Sequence, residues 1–294
     1  MMNKKLCIFG EVLFDVFPDD QRVLGGAPFN VAWHLQAFSQ TPLFISCVGN
    51  DPDGTHIRKT MLDWGMNTQA LQTDKQLPTG KVIVDLDNGE PSYDIIEPAA
   101  YDAIEAQPDN TLACDFLYHG SLALRNRTSQ LTLEKLKECH PETIFIDVNL
   151  RSPWWNKSVV LEQMRQADWV KLNVDEFNLL YASDKTEKNI LSSFITEYEL
   201  QGIILTNGKA GAEIITDNQQ HYTVKPEIEV DVVDTVGAGD AFSSVIILGL
   251  INHWPLQTTL RRAQDFSSAI VGQRGATVSD KTFYNNFINK WNID

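Results

Sequence analysis

The sequence predicts an α/β protein whose mostly parallel central sheet is covered by helices on both faces. Two observations predict this fold class. Short apolar runs typical of strands alternate with segments whose apolar residues recur at helical spacing. Strands that alternate with helices form right-handed crossovers, which make the strands parallel and place the helices on both faces of the sheet. Ligands of such sheets bind beyond the carboxyl ends of the strands.

The strand-like runs and helical segments can be placed along the chain. The runs are residues 6–9, 43–48, 116–119, 143–148, 169–172 and 203–206. Apolar residues recur at i, i+4 and i+7 in two segments, with Val31, Leu35 and Phe38 in the first and Ile57, Met61 and Trp64 in the second. Pro28 is placed where a helix would begin, and Gly65 where a helix would end.

Two stretches break the alternation and predict a small inserted sheet. Residues 12–18 alternate between apolar and polar, and residues 81–87 and 92–97 flank Asn88-Gly89, a strong hairpin signal. We interpret these stretches as a small antiparallel sheet that forms a lid from segments 11–25 and 79–100. No linker or repeat divides the chain, so residues 1–294 are predicted to form a single domain.

Composition and charge exclude several classes of protein. With 294 residues, 43% apolar and 21% charged, the chain is long enough for a large core and is not disordered. Its 24 basic and 39 acidic side chains give a net charge of −15, which argues against nucleic acid or an anionic membrane as a partner. No apolar run approaches the roughly 18 residues of a membrane span. The four cysteines lack metal-binding spacing, and we expect buried, reduced thiols in a cytoplasmic protein.

The motif most informative about chemistry is residues 234–242, DTVGAGDAF, followed by apolar residues at helical spacing. Its small residues are Gly237, Ala238 and Gly239. Small residues before a helix allow close approach of a ligand to free backbone N–H groups, which form an anion site. Asp240 would lie beside this site, where a carboxylate can take a proton from an attacking hydroxyl. The alternatives are a simple helix start and a dinucleotide-binding turn, although GxGxxG fails at Phe242.

A second motif, GGAPFNVA at residues 25–32, leads into the first helical segment. Its two glycines, Gly25 and Gly26, permit close approach, and Asn30 offers both a donor and an acceptor to hydroxyl groups. Asp15 points opposite to its apolar neighbours in the preceding strand, and a carboxylate is a good acceptor for sugar diols. The alternatives are an ordinary loop-to-helix turn and a solvated strand face.

At these separations the motifs resemble the PfkB, or ribokinase-like, family of carbohydrate kinases over essentially the whole chain. The resemblance implies a ribokinase-like, Rossmann-type three-layer α/β/α body with a β-sheet lid over the sugar. Fructokinases are the most similar members, because GExLxD at residues 10–15, GGAPxN at residues 25–30 and NLR at residues 149–151 before Trp154 match their pattern. Ribokinases tend to carry a lysine-containing GGKGAN instead.

The resemblance also implies roles for individual residues. Asp240 would be the catalytic base, with Gly237, Ala238 and Gly239 as the anion hole. The residues implied in sugar binding are Asp15, Gly25, Gly26, Asn30 and Arg151, with Tyr93 and Tyr101 expected on the lid. The residues implied in nucleotide binding are Asn173, Thr206, Asn207, Gly208 and Gly211. Asn173 and Glu176 would organise Mg²⁺, although residues 173–176 alone indicate only a helix start. Asp234, Gly275 and Ser279 match positions where some members bind a monovalent cation, which would be K⁺.

The departures from the family pattern concern the sugar more than the reaction. The chain has DVNLR at residues 147–151 where many fructokinases have DPNLR, NGKAG at residues 207–211, and Gln264 where asparagine is frequent. Our leading hypothesis is therefore ATP-dependent phosphorylation of D-fructose to fructose 6-phosphate. The alternative acceptors are ribose, tagatose, a nucleoside such as aminoimidazole riboside, and a keto-deoxy sugar acid.

Two hypotheses of other classes remain at this point, a non-catalytic sugar sensor on the same fold and, more distantly, a dehydrogenase. The expected partners are the sugar and ATP. Unpaired edges of the lid would invite pairing with a second copy, so a homodimer through the lid is a further hypothesis.

Overall fold

The order of elements follows the alternation seen in the sequence. The computed structural model describes residues 5–87, 90–106, 114–181, 187–227 and 231–293, so the predicted Asn88-Gly89 turn lies outside the described residues. The strands are β1 (Leu6–Phe9), β2 (Leu13–Val16), β3 (Arg22–Gly25), β4 (Leu43–Gly49), β5 (Leu71–Asp74), β6 (Gly80–Asp87), β7 (Glu90–Ile95), β8 (Phe116–His119), β9 (Thr143–Asp147), β10 (Trp169–Asn173), β11 (Gly202–Thr206), β12 (Ala212–Thr216) and β13 (His221–Val224). The helices are α1 (Ala27–Ala37), α2 (Pro52–Trp64), α3 (Arg127–Lys137), α4 (Lys157–Arg165), α5 (Val174–Leu180), α6 (Glu187–Tyr198), α7 (Ala238–Ile251), α8 (Leu256–Val271) and α9 (Lys281–Trp291).

The described strands form a large central sheet in the order β13-β12-β11-β10-β9-β8-β1-β4-β5. Pairing is parallel from β5 through to β11 and antiparallel for β12 and β13 at one edge. The six strand-like runs of the sequence are β1, β4, β8, β9, β10 and β11, which confirms the predicted, mostly parallel sheet.

Helices cover both faces of this sheet. Successive side chains of a strand point to opposite faces, so Ile8 of β1 packs into a cluster with α1, α2, α7 and α8, whereas Cys7 and Phe9 pack into a cluster with α3. A third cluster places α4, α5 and α6 over β9, β10 and β11. Burial of each large apolar side chain contributes about 1.5–3 kcal/mol, so the two layers of helices hold the strand ends in fixed positions.

The ends of α1 and α2 agree with the sequence signals. Pro28 lies in the first turn of α1, and Gly65 is the residue that ends α2. Asp51 caps α2 because its carboxylate accepts a hydrogen bond from the backbone N–H of Gly54 at 2.8 Å.

A second, smaller sheet is formed by β3, β2, β6 and β7 in that order, and we call it the small sheet. The pairs β2–β3 and β6–β7 are antiparallel, but β2 and β6 are parallel. The prediction of a wholly antiparallel sheet was therefore wrong. The reason is topological, since β6 follows β2 only after β3, α1, β4, α2 and β5, and so long a connection allows two strands to run in the same direction.

The cysteines are free thiols. Cys7, Cys47 and Cys114 are buried, as expected, whereas Cys139 is half-buried. Among the described residues, no helix is both long enough and apolar enough to cross a membrane.

Candidate active site

The N-terminus of α7 forms the centre of the candidate site. Gly237 precedes the helix with φ 78°, and a Cβ at this position would lie 2.3 Å from the Cβ of Ala276, so only glycine fits the turn. Within the described part of the chain, no side chain caps this helix. The Ala238 N–H donates a long hydrogen bond to the Thr235 oxygen at 3.4 Å, whereas no such bond engages the N–H groups of Gly239 and Asp240 within the described residues. These N–H groups are available to an anion, and the helix dipole adds to the attraction.

Asp240 lies on the first turn of α7, and Asn30 of α1 holds its carboxylate. The Asn30 amide donates a hydrogen bond from Nδ2 to Oδ2 of Asp240 at 2.8 Å, across 210 residues of sequence. Burial raises the pKa of Asp240 to about 6, although the bond from Asn30 lowers it, and nearby Asp147 raises it. The group is therefore mostly ionised at neutral pH and basic enough to accept a proton.

The GGAPxN motif lies against β1 and β2. Gly26 has φ 110°, and a Cβ there would lie 2.7 Å from the backbone oxygen of Glu11, so the motif needs glycine for this close approach. Gly25 lies near Asp15, because a Cβ on Gly25 would be 3.4 Å from Oδ2 of Asp15. Asn30 is buried, and its Oδ1 atom has no hydrogen-bond partner among the described residues. These four residues of the predicted sugar site therefore lie together.

Asp15 and Arg151 also lie close together. Burial raises the pKa of Asp15 to about 6, Arg151 lowers it, and Asp234 raises it. Arg151 likewise lowers the pKa of Asp240 and of Glu11. The exposed Arg151 is therefore near enough to Glu11, Asp15 and Asp240 to act on them electrostatically.

A buried ion pair behind the anion site was not predicted. Lys171 of β10 donates from Nζ to Oδ2 of Asp147 at the end of β9, at 2.7 Å, and both side chains are buried. The hydroxyl of Ser243 on α7 donates to the same oxygen at 2.7 Å. A Cβ on Gly239 would be 3.6 Å from the Lys171 ammonium, so this cation lies directly behind the first turn of α7. In the sequence, the feature that could have indicated this ion pair is a lysine inside an otherwise apolar strand run.

Glu11 is a second residue whose importance the sequence did not reveal. It is buried, and its Oε2 atom has no hydrogen-bond partner among the residues that the structure describes. Burial raises the pKa of Glu11 to about 7, its own backbone N–H lowers it, and Asp240 raises it. In the sequence, Glu11 is an acidic residue directly after Gly10, and it drew attention only as part of the GExLxD pattern.

Asn173 and Glu176 form a reciprocal cap at the start of α5. Asn173 Oδ1 accepts from the Glu176 N–H, and Glu176 Oε2 accepts from the Asn173 N–H, both at 2.8 Å. The second oxygen of Glu176 accepts from the Leu150 N–H at 2.8 Å. Both carboxylate oxygens of Glu176 are therefore engaged by backbone N–H groups. Among the described residues, no group of three or more His, Cys, Asp or Glu side chains could hold a metal ion.

The predicted nucleotide-binding turn follows β11 at the same end of the sheet. Thr206 ends the strand and donates from its hydroxyl to the Leu172 oxygen at 3.3 Å. The Asn207 N–H donates to the Gly211 oxygen at 2.8 Å, closing a short turn that includes Gly208. Asn207 and Gly208 are exposed, so this turn is open to a ligand.

Two of the three residues predicted to bind a monovalent cation are in contact. Asp234 accepts from the Gly275 N–H and from the Val236 N–H, both at 3.0 Å, whereas no hydrogen bond joins the exposed Ser279 to Asp234 within the described ranges.

Tyr93 lies exposed on β7 of the small sheet. Tyr101 is buried in a short 3-10 turn in the core, so its expected place on the lid was wrong.

The chain is similar to known carbohydrate kinases over most of its length. The profile of the pfkB family carbohydrate kinases matches residues 3–282. The chain is 30% identical over 266 residues to a fructokinase of Escherichia coli, covering 85% of both chains. It is 28% identical over 272 residues to an aminoimidazole riboside kinase of Salmonella typhimurium, covering 86% of this chain and 83% of the relative.

Solved structures show the same fold. A fructokinase of Xylella fastidiosa with bound ATP has a TM-score of 0.84 at 21% identity, covering 99% of this chain and 100% of that chain. A fructokinase of Vibrio cholerae, in fructose, ADP and calcium ion bound form, has a TM-score of 0.80 at 25% identity, covering 96% and 98%. A double mutant of the latter was solved in a fructose, ADP and potassium ion bound form. The chain belongs to the pfkB family of carbohydrate kinases, and it is a sugar kinase.

Proposed function

We propose that this sugar kinase transfers the γ-phosphoryl group of ATP to the 6-hydroxyl of D-fructose. The observation that carries the proposal is the Asp240 carboxylate, held by Asn30 at 2.8 Å on the first turn of the uncapped helix α7. A base beside an anion site is the arrangement that phosphoryl transfer requires. Fructose is supported as the acceptor by relatives named fructokinase that match over most of this chain.

In the proposed step, the sugar hydroxyl oxygen forms a bond to the γ-phosphorus while the bond from that phosphorus to the ADP oxygen breaks. The hydroxyl proton passes to Asp240, whose carboxylate also accepts the hydrogen bond from Asn30. A pKa of about 6 lets this group accept the proton and release it again at neutral pH. A positioned base contributes about 10²–10⁴ to the rate.

The charge of the transferred group would be stabilised from the protein side by backbone. The N–H groups at Gly237, Ala238 and Gly239 are the proposed anion hole, and such donors act without reorganising at the moment of reaction. Behind Gly239, the Lys171 ammonium is neutralised by its ion pair with Asp147, so this pair supports the first turn of α7 without adding net positive charge.

Asp15, Gly25, Gly26 and Asn30 would hold the sugar hydroxyls, with Arg151 across from them. The unpartnered Oδ1 of Asn30 supports this role, because a buried acceptor without a partner costs about 1–3 kcal/mol until a ligand hydroxyl fills it. The small sheet would act as the lid that excludes water, with Tyr93 at its exposed edge.

ATP would enter as its magnesium complex, with the open turn at Thr206, Asn207, Gly208 and Gly211 against the nucleotide. Mg²⁺ is usually bound through substrate phosphates and water with one or two carboxylates, so the ATP phosphates would supply most of its ligands. Asn173 and Glu176 would then act on the metal indirectly. K⁺ would be bound near Asp234 and Gly275, which a hydrogen bond joins, and Ser279.

A coupled assay of ADP release tests the acceptor. The panel is fructose, ribose, tagatose, aminoimidazole riboside and a keto-deoxy sugar acid, each with and without potassium. We expect the highest kcat/KM with fructose, and phosphorus NMR of the product should place the phosphate on the 6-oxygen. A higher kcat/KM for any other acceptor contradicts the fructose assignment.

Aminoimidazole riboside is the second candidate acceptor, because a kinase of that name is 28% identical over 86% of this chain. The same panel separates the two, since a nucleoside site would favour the riboside over free fructose. Sugar binding without ADP release from any acceptor would instead support the non-catalytic sensor.

We further propose a homodimer through the small sheet. Its edge strands are β3 and β7, and an unpaired strand edge can pair with a second copy. Light scattering should give twice the mass of 33.1 kDa. A monomer at enzyme assay concentrations would contradict the proposal.

A further inference from the structure

We propose that Asp53, on the first turn of α2, is a positioning residue that holds the small sheet in place and thereby orients Asp15 toward the sugar. The inference rests on the proposed function, because it assigns Asp53 a role through a residue of the proposed sugar site. Asp53 itself contacts no member of that site among the described residues.

One carboxylate of α2 binds two strands of the small sheet. Asp53 Oδ1 accepts from Arg22 Nη1 of β3 at 2.6 Å, and Asp53 Oδ2 lies 2.9 Å from Lys81 Nζ of β6. The Asp53 side chain is 14% exposed, against 48% for Arg22 and 34% for Lys81. The carboxylate is therefore sheltered between two cations that reach it from different strands.

The strand register places Asp15 between these two contacts. Asp15 of β2 is opposite Val23 of β3 and opposite Val82 of β6. Arg22 and Lys81 are the immediate neighbours of those two valines. Since successive side chains alternate between the faces of a sheet, Arg22 and Lys81 extend from the face opposite to Asp15. Asp53 thus fixes both strands that flank Asp15, from behind.

Two further contacts connect α2 with the small sheet. The Phe14 ring, on the same face as Arg22, lies edge-on to the His56 ring of α2 at a centroid distance of 5.6 Å. Asp51, the cap of α2, accepts from the N–H of Thr79 at 2.8 Å, directly before β6 begins. Asp53 differs from His56 and Asp51 because, among the described side chains of α2, it alone forms ion pairs with two strands of the small sheet.

The small sheet is held by side-chain contacts, which comprise the Asp53 ion pairs and the buried apolar residues Leu13, Phe14 and Val82. It shares no strand pairing with the central sheet in the part of the chain that the structure describes. Loss of the Asp53 contacts should let β2 shift relative to Asn30 and Arg151, which belong to the larger body. Sugar binding would weaken, whereas Asp240 on α7 and the nucleotide turn would keep their positions.

The first test compares Asp53→Asn with the wild-type enzyme in steady-state kinetics. Two ion-pair contacts of this exposure predict a KM for fructose about threefold to tenfold higher, with kcat within about twofold and the KM for ATP unchanged. The matched control is Asp63→Asn, which removes a carboxylate of the same helix whose partner is Lys59. Equal effects of the two variants, or an Asp53→Asn effect on kcat alone, would overturn the proposal.

Asp53→Glu keeps the charge and should restore most of the lost sugar affinity. Arg22→Gln and Lys81→Gln should each give part of the Asp53→Asn effect and add little to it in double variants, because all three changes break the same contacts. Full additivity would show that the three residues act independently and would contradict the proposal.

Hydrogen exchange separates the two proposals. In the Asp53→Asn protein, the amides of β2 and β3 should exchange faster than in the wild type and in Asp63→Asn, whether or not fructose is the acceptor. Unchanged exchange refutes the role of Asp53. Faster exchange in an enzyme that does not phosphorylate fructose supports the role of Asp53 and refutes the proposed acceptor.

Discussion

The first turn of α7 and the small sheet carry the two best-defined carboxylates of the site, and they are built differently. Around Asp240 the supporting charges are buried, since Lys171 and Asp147 are paired at 2.7 Å inside the central sheet. Around Asp15 the supporting ion pairs are partly exposed, since Arg22 and Lys81 meet Asp53 at the surface. Buried pairs need both partners, whereas exposed pairs break at little cost.

We interpret this difference as a division of the site into a rigid part around Asp240 and an adjustable part around Asp15. Asp240 and Asp15 both have a pKa of about 6, raised by burial in each case. Asp240 is bonded directly to Asn30 of α1 and so moves with the body, whereas Asp15 depends on the position of the small sheet. The chemical step should therefore be sensitive to the body, and sugar affinity to the small sheet.

Asp240→Asn is the strongest test of the rigid part. We expect kcat to fall at least about 10²–10⁴-fold, because the amide cannot take the hydroxyl proton. The melting temperature should not fall, since burial disfavours the charged form at this position and the bond from Asn30 can still reach the amide oxygen. Near-normal turnover of the folded variant would exclude Asp240 as the base.

Lys171→Met tests the buried pair. Removing the cation leaves Asp147 buried and without its charge partner, which costs about 3–5 kcal/mol in the free energy of unfolding. Urea denaturation measures the loss. Lys59→Met, which breaks the exposed pair with Asp63, is the control and should change stability by less than about 0.5 kcal/mol. Equal stability of the two variants would show that burial of the pair does not matter.

Asp15→Asn tests the adjustable part. Loss of a charged acceptor for sugar hydroxyls should raise the KM for fructose by about 10–100-fold, because such a hydrogen bond contributes about 1.5–3 kcal/mol. The value of kcat should change much less, since Asp240 is untouched. A large drop in kcat at unchanged KM would move Asp15 from sugar binding to the chemical step.

The dependence of kcat/KM on pH tests both regions at once, because it reports the protonation of Asp240 and of Asp15. The proposed base Asp240 would act as a carboxylate, and with a pKa of about 6 its protonation should remove activity as the pH falls below that value. We expect kcat/KM to fall about tenfold per pH unit below pH 6, and more steeply where Asp15 also protonates. Asp15→Asn should return the slope to tenfold. A profile that stays flat down to pH 5 would contradict the ionised base.

Local patterns predicted most of the fold. The six runs are central-sheet strands because a strand buried on both faces is mostly apolar, and that signal lies within each run. The small sheet was predicted with the wrong strand direction, because parallel pairing of β2 with β6 depends on the path of the intervening chain. Tyr101 was misplaced because the family resemblance suggested only a lid residue near this position, and the sequence carries no local signal that the chain has already returned to the core there.

By itself, the sequence determined the fold class, the glycine-bearing helix start at residues 237–239 and the carboxylate on its first turn. These features are local, because glycine spacing and a helix start act over a few residues. Only the tertiary structure joined Asn30 to Asp240, placed Lys171 behind Gly239 and brought Asp53 between Arg22 and Lys81. Those contacts depend on which strand ends and helix turns meet in space, and residues far apart in the chain carry no local signal of their pairing.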